Sequence, residues 1–289
     1  MPLPLERETT GKVVELADGF WLLATRHRGG GFSMFPEMNN RCFILRLLDQ
    51  TTGLPCLAAF NATDPEQSLV EIAGLCQQTG LPLRYVVSTS SAHHSYMGAW
   101  HQAFETVTLL LGAERIPKTA NGQRLLQLQR VQIMDPGDPL PMFGDQLQTA
   151  TFTGLLGAKE YASPTDGDSD STWPALQAMR LQVSPSEHYD QLWLHHLATA
   201  TVIAGENIAP YFNQTAHAKL PWLLRRTLAC ERLTLSQHVW DRAAVARSWQ
   251  VVTAWKATTM LGIHDGVTSR LRGDVASRLR KAALEAGQL

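Results

Sequence analysis

The chain has 289 residues, 44% hydrophobic and 18% charged, with 25 basic against 26 acidic side chains and a formal charge of -1. That is the balance of an ordinary globular protein with ample core material, and it announces neither nucleic acid nor an anionic membrane as a partner. Cys42, Cys56, Cys76 and Cys230 form no CxxC pair and lie in apolar surroundings, which reads as reduced core residues rather than a disulfide frame or zinc knuckle. The N-terminal MPLPLERETT lacks the apolar run of a secretory signal, and no uncharged apolar stretch reaches the ~18 residues of a membrane span. The expectation is a cytoplasmic protein of one domain, residues 1–289, with a helical C-terminal region.

Lys12–Leu16 and Phe20–Ala24 flank Ala17-Asp18-Gly19 and predict a hairpin. Arg26–Asn40, with Gly29, Gly30, Gly31 and Pro36, predicts a long loop of the kind that often carries function. Arg41–Leu48 and Leu54–Phe60 read as strands joined by a turn at Asp49–Gly53. The clearest helix is Pro65–Thr79: Asp64 caps it, Pro65 suits its first position, and Gln67 completes a capping-box pattern. Leu69, Ile72, Ala73 and Cys76 recur at helical spacing and predict one buried face, and Gly80 ends the helix. Leu83–Ser88 then reads as a buried parallel strand, completing a strand-helix-strand unit.

After Thr89–Gly98 a helix is expected from Ala99, with strands at Val107–Leu111, Val131–Met134 and Leu147–Leu155. Ser163–Thr172 is polar and reads as a loop. Tyr189–Leu194 and Thr201–Ala204 predict a hairpin turning through His195–Ala200. The remainder reads as helical, over Leu220–Ala229, Val239–Leu261 and Ser269–Ala286. No internal repeat is visible.

The order of these elements is informative. A β-meander precedes an acid-capped helix and a strand that ends in a histidine cluster, Thr89–Gly98. Far downstream a hairpin strand runs into Gly205-Glu206, and a later helix into Gly262-Ile263-His264-Asp265-Gly266. Over roughly residues 12–270 this order resembles the metallo-β-lactamase superfamily. The resemblance implies an α/β fold, a four-layer αββα sandwich with two mixed sheets packed face to face and helices outside.

In that family a strand ends in T-H-x-H-x-D-H, whose residues bind two metals together with later histidines and a bridging aspartate. Here the aligned stretch is Ser88-Thr89-Ser90-Ser91-Ala92-His93-His94. Thr89 and Ser91 stand where the first metal's histidines would be, and neutral hydroxyls are poor substitutes for imidazole. The family's middle histidine has no counterpart in Asp135–Asp145. The second set fares differently: His93 matches the aspartate, His94 the retained histidine, Glu206 the bridging carboxylate and His264 the last histidine. The resemblance therefore implies one divalent metal, Zn, Fe or Mn, on His94, Glu206 and His264, with His93 as a fourth ligand or a catalytic base. Glu206 independently follows TVIAG at the end of a buried strand, where sites gather in α/β folds.

The implied reaction is metal-assisted hydrolysis of a small ester, lactone or thioester. Two alternatives stand beside it: a metal-free pseudoenzyme acting as a binding or interaction module, and a mononuclear iron oxidoreductase. A small-molecule ligand is expected, with neither nucleic acid nor membrane as partner and with a homo-oligomer possible. His188, His195 and His196 read as structural or surface residues around the hairpin turn. His27, between Arg26 and Arg28, lies in a loop able to attract an anion. Trp240, Trp249 and Trp255 read as helical aromatics packed on a sheet or a second subunit. There is no GxSxG nucleophile elbow, and Ser90 and Ser91 beside the histidines do not by adjacency make a triad.

Overall fold

The computed structural model describes residues 10–26, 39–90, 94–112, 120–153, 156–159, 182–188, 191–205, 208–209, 234–235, 241–263, 270–285 and 288–289. The N-terminal half contains β1 (Val13–Ala17), β2 (Phe20–Arg26), β3 (Asn39–Asp49), β4 (Leu54–Phe60), α1 (Pro65–Thr79), β5 (Leu83–Val87), α2 (Met97–Ala103), β6 (Thr108–Leu111), α3 (Ala120–Leu125) and β7 (Val131–Ile133). The C-terminal half contains β8 (Leu147–Phe152), β9 (Leu156–Lys159), β10 (Gln182–His188), β11 (Gln191–His196), β12 (Thr201–Ala204), β13 (Ile208–Ala209), β14 (Thr234–Leu235), α4 (Arg242–Val252), β15 (Thr259–Gly262), β16 (Arg270–Arg272) and α5 (Val275–Glu285).

Among the described residues, β1 to β7 form one sheet in sequence order. Its first three pairings are antiparallel and its last three parallel. The second sheet has the order β16-β15-β12-β11-β8, in which β12 and β15 run parallel. Two short ribbons, β9–β10 and β13–β14, stand apart.

Period-two alternation builds the layers, because successive strand side chains point to opposite faces. Phe20 and Leu22, Phe43, Leu45 and Leu47, and Cys56, Ala58 and Phe60 face inward and meet Leu192, Leu194, Ile203 and Leu261 of the second sheet. Their neighbours Trp21 and Leu23, Cys42 and Ile44, and Leu57 and Ala59 face outward under Ile72 and Leu75 of α1 and Trp100 of α2. On the far side, Phe152, Trp193 and Val202 meet Val245, Trp249 and Val252 of α4 and Leu279 and Ala283 of α5. The result is the expected four-layer αββα sandwich.

Local signals performed as expected. Gly19, at φ 72°, turns the β1–β2 hairpin. Helix α1 spans the expected residues, the Asp64 carboxylate accepts the Glu66 N–H, and Gly80 ends the helix in the left-handed region. The Gln67 side chain reaches the Asp64 carboxylate at 2.9 Å rather than its backbone. The buried face centres on Ser68, Ile72 and Leu75, with Leu69 and Cys76 packed at its margin. Cys42 and Cys56 are buried, Cys76 is partly so, and all three are free thiols; Cys230 lies outside the described residues.

Three expectations need correction. Val239–Leu261 is not one helix: α4 stops at Val252, and the chain returns as β15. Thr253 closes α4 by donating its hydroxyl to the Trp249 carbonyl at 2.7 Å. Beyond it, Thr258 and Thr259 are β-branched residues suited to strands, and β12 offers them a parallel ladder. Ser269–Ala286 likewise splits into β16 and α5 at Gly273, φ 92°, with Asp274 accepting the Ser277 N–H at 3.0 Å as a cap. Third, His195 and His196 are strand rather than turn residues and, of the two readings structural or surface, they are structural, 2% and 5% exposed. The expected helix at Leu220–Ala229, the loop at Ser163–Thr172 and the Arg26–Asn40 loop from residue 27 to 38 lie outside the described residues. Among the described residues no helix is long and apolar enough to cross a membrane.

Candidate metal centre

The strand exits determine which residues can meet. Strand β5 leaves its own sheet after Val87. Ser88 still donates its N–H to the Leu110 carbonyl at 2.9 Å, and its hydroxyl donates to the Ser90 carbonyl at 2.7 Å. Thr89 and Ser90 then join the other sheet: the Leu192 N–H donates to the Thr89 carbonyl at 2.8 Å, and Ser90 pairs with Gln191. The sandwich is thereby stitched shut where β5 ends and β11 begins. Because β11 and β12 are antiparallel, the start of β11 is also the place where β12 ends.

The β12 and β15 exits lie side by side, since Ala204 pairs with Gly262 in parallel register. Glu206 and His264 are each two positions beyond that pair in the chain. Both, together with His93, lie outside the described residues. His94 is described and is 8% exposed. Its carbonyl accepts the Met97 N–H at 3.3 Å, at the start of α2, and the Asn121 amide at 3.2 Å. So His94 also has the capping role that a turn histidine can have without any metal.

Two buried polar residues tie these exits to the first sheet. Arg41, 0% exposed, donates its backbone N–H to the Ile263 carbonyl at 2.9 Å and its guanidinium to the Gly262 carbonyl at 3.4 Å. Asn61, in the left-handed region at φ 71°, donates its side-chain amide to the Arg41 carbonyl at 2.8 Å and its backbone N–H to the Val87 carbonyl at 3.0 Å. Neither was foreseen. Arg41 had a signal, a charge at the head of the otherwise apolar stretch Cys42–Leu45. Asn61 had a weaker one, since asparagine tolerates φ > 0 better than most residues.

The same end collects unsatisfied polar atoms. The hydroxyls of Thr25, Thr63 and Thr89 and the amide oxygen of Asn61 are buried without a hydrogen-bond partner among the described residues. Such groups are rare in native interiors and mark functional or strained regions. Between Ser88–Ser90, Pro136 and Leu192 lies a cavity of only about 20 Å³, room for about one water molecule.

His195 and His196 stand at the opposite end of β11 from Gln191, away from these exits. His195 shares a hydrogen bond with the Gln148 side chain at 2.8 Å and stacks on Trp255 with 5.6 Å between ring centres. His196 shares one with the Thr199 hydroxyl at 2.9 Å. Burial lowers the pKa of His195. Burial, and secondarily the neighbouring His195, lowers that of His196 to about 4. His188 falls in β10. Trp249 packs against Phe152 and Trp193 at 4.8 and 5.6 Å, and Trp255 lies beyond the end of α4; Trp240 and His27 are outside the described residues.

No protein-family model matches the chain, and no curated protein matches it significantly. Solved structures do. A metallo-β-lactamase from Erythrobacter litoralis, solved with β-mercaptoethanol in its active site, is similar at TM-score 0.54 and 14% identity, over 94% of this chain and 96% of that one. The metallo-β-lactamase FIM-1 from Pseudomonas aeruginosa, in its mono-zinc form, is similar at 0.52 and 11%, over 99% and 96%. TMB-1 is similar at 0.57 and 12%, over 96% and 98%. The fold is that of the metallo-β-lactamases. At these identities the likeness establishes the fold and its divergence, and the site has to be judged on its own residues.

On those residues the two-metal arrangement of the fold does not fit. Thr89, at the first histidine position, presents a buried neutral hydroxyl, which is no replacement for imidazole. Among the described residues no three of His, Cys, Asp and Glu stand close enough to hold a metal. Of the residues the resemblance assigns to a single metal, His94 follows the β5 exit, and Glu206 and His264 follow the paired ends of β12 and β15 in the sequence.

Proposed function

We propose that this metallo-β-lactamase-fold chain has a reduced, mononuclear metal site and hydrolyses a small ester, lactone or thioester. The observation that supports the reading most is the convergence of exits. Strands β5, β12 and β15 end together, with Ala204 and Gly262 in register and Ser90 paired to Gln191 beside them. His94, Glu206 and His264 follow these three exits in the sequence, and two histidines with one carboxylate make a mononuclear ligand set. FIM-1, which shares the fold, was solved with one zinc.

A divalent cation bound there would lower the pKa of bound water toward ~7 and supply hydroxide at neutral pH. The protein's part is then to exclude water and to hold its donors still. Arg41 and Asn61 fasten the β15, β3, β4 and β5 ends to one another through buried hydrogen bonds. His93 stands next to a ligand in the chain, where it can serve as fourth ligand or as base. The rival reading, a metal-free binding module, draws on Thr89 and Ser91 and on the capping role of the His94 carbonyl.

Metal content separates the two. Inductively coupled plasma mass spectrometry, on protein purified without an affinity-metal step, is expected to find one zinc, iron or manganese per chain. His94→Ala and His264→Ala should each abolish it. No metal, and none taken up on reconstitution, would overturn the proposal in favour of the binding module. Iron with oxygen consumption would move it to the oxidoreductase alternative.

A further inference from the structure

The overall charge of -1 hides a segregation between the two helical layers. Over the first sheet, α1 carries Glu66 and Glu71 and neither lysine nor arginine. Over the second, α4 carries Arg242 and Arg247, and α5 carries Arg278, Arg280 and Lys281 against the single acid Glu285. The two acids beside these helices are committed as caps. The Asp241 carboxylate accepts the Ala244 N–H at 2.9 Å, and Asp274 accepts the Ser277 N–H at 3.0 Å and its hydroxyl at 2.6 Å. All five basic side chains are exposed, and among the described residues Arg242, Arg247, Arg278 and Arg280 make no hydrogen bond or ion pair. Both helices belong to one layer, because Val245, Trp249 and Val252 of α4 and Val275, Leu279 and Ala283 of α5 share one core with Phe152, Trp193 and Val202.

Two exposed aliphatic residues stand among these cations, Val251 at 47% and Leu284 at 55%. Each follows an arginine by four positions, Arg247 and Arg280, and so sits one helical turn from it. An anionic lipid surface satisfies both kinds of group, since headgroup phosphates take the charges and the acyl boundary takes the aliphatic side chains. Nucleic acid offers phosphates too, but gives the aliphatics no apolar phase to enter. The aromatic groups on which bases would stack, Trp249 and Trp255, are buried at 0% and 6%. We propose that the outer face of α4 and α5 docks on an anionic phospholipid surface. Arg247, Arg280 and Lys281 bind headgroup phosphates, and Val251 and Leu284 enter the boundary below them. The acidic α1 layer is then turned away from the bilayer. Docking of this kind is peripheral and needs no metal at the strand exits.

The test is co-sedimentation of the full chain with vesicles of phosphatidylcholine alone and of phosphatidylcholine mixed with phosphatidylglycerol. Binding is expected on the mixed vesicles only, at about 0.1 M salt and not at about 1 M, where screening is nearly complete. An Arg247→Gln, Arg280→Gln variant should bind at least about tenfold more weakly. A Lys12→Gln, Arg124→Gln variant removes as much charge from the other half of the chain and should bind as the wild type does. A Val251→Ser, Leu284→Ser variant should bind more weakly at unchanged charge. Thermal midpoints verify that each variant folds, and Arg247→Gln and Arg280→Gln read singly decide if the pair does not. No binding to the mixed vesicles, equal binding to the neutral ones, or equal losses from the two charge variants would overturn the proposal. Full binding by the aliphatic variant, or capture of a DNA duplex in place of the vesicles, would overturn the lipid assignment in favour of a soluble polyanion.

Discussion

His195 and His196 carry a consequence for pH. Each is held neutral in the folded protein by burial, with His196 at about 4, whereas an unfolded chain titrates its histidines near the ordinary ~6.5. Between those values the unfolded state binds more protons than the folded one, so stability falls as pH falls through that window. The expected loss for His196 is on the order of 2–3 kcal/mol once the pH is below its folded pKa. Thermal midpoints measured from pH 7 to pH 4 should drop, and a His195→Gln, His196→Gln variant should drop less steeply; an equal slope would refute this assignment. The pair read as structural or surface residues at a turn in LHHLATA, because polarity marks turns in a sequence. What permits their burial is partners: Gln148 on a neighbouring strand and Thr199 across the tight turn.

Elements governed by near neighbours were legible. The α1 cap lies within three residues of chain, where Asp64 accepts the Glu66 N–H at 3.0 Å and the Gln67 amide at 2.9 Å. Asp64→Ala should cost about 1 kcal/mol, the usual loss of a helix cap. It should appear as a lower urea midpoint with unchanged slope. Elements governed by distant partners were not legible. Residues 253 to 262 carry apolar residues at spacings a helix can use, and only the edge of β12 turns Thr259–Gly262 into a strand. Arg270–Arg272 is a strand for the same reason, pairing with β15.

The whole molecule depends on three apolar layers, and the outermost under α4 is built on aromatics. Trp249 is fully buried, packs on Phe152 and Trp193, and donates its indole N–H to the Gln288 side chain at 3.0 Å. Trp249→Ala should destabilise the fold by about 3–5 kcal/mol, the range for deleting a large buried aromatic. Equilibrium unfolding followed by circular dichroism measures it, and a loss below about 1 kcal/mol would mean that this layer is not part of the cooperative core. The strand exits adjoin this layer, since Ala204 belongs to it and Gln191 pairs with Phe152.

The sequence by itself determined the binary pattern of the first sheet, the bounds of α1, the order of elements that marks the fold, and the residue types that follow three strand ends. These follow from periodicity, turn chemistry and residue type, all encoded within a few positions. The tertiary structure alone decided that β15 and β16 exist, that the β5 exit crosses to the second sheet, and that Arg41 is buried against the β15 carbonyls. Each of these joins residues tens to hundreds of positions apart or depends on a neighbouring strand's edge. No local pattern records such pairing, because backbone hydrogen bonding between strands is indifferent to side-chain identity until packing chooses the register.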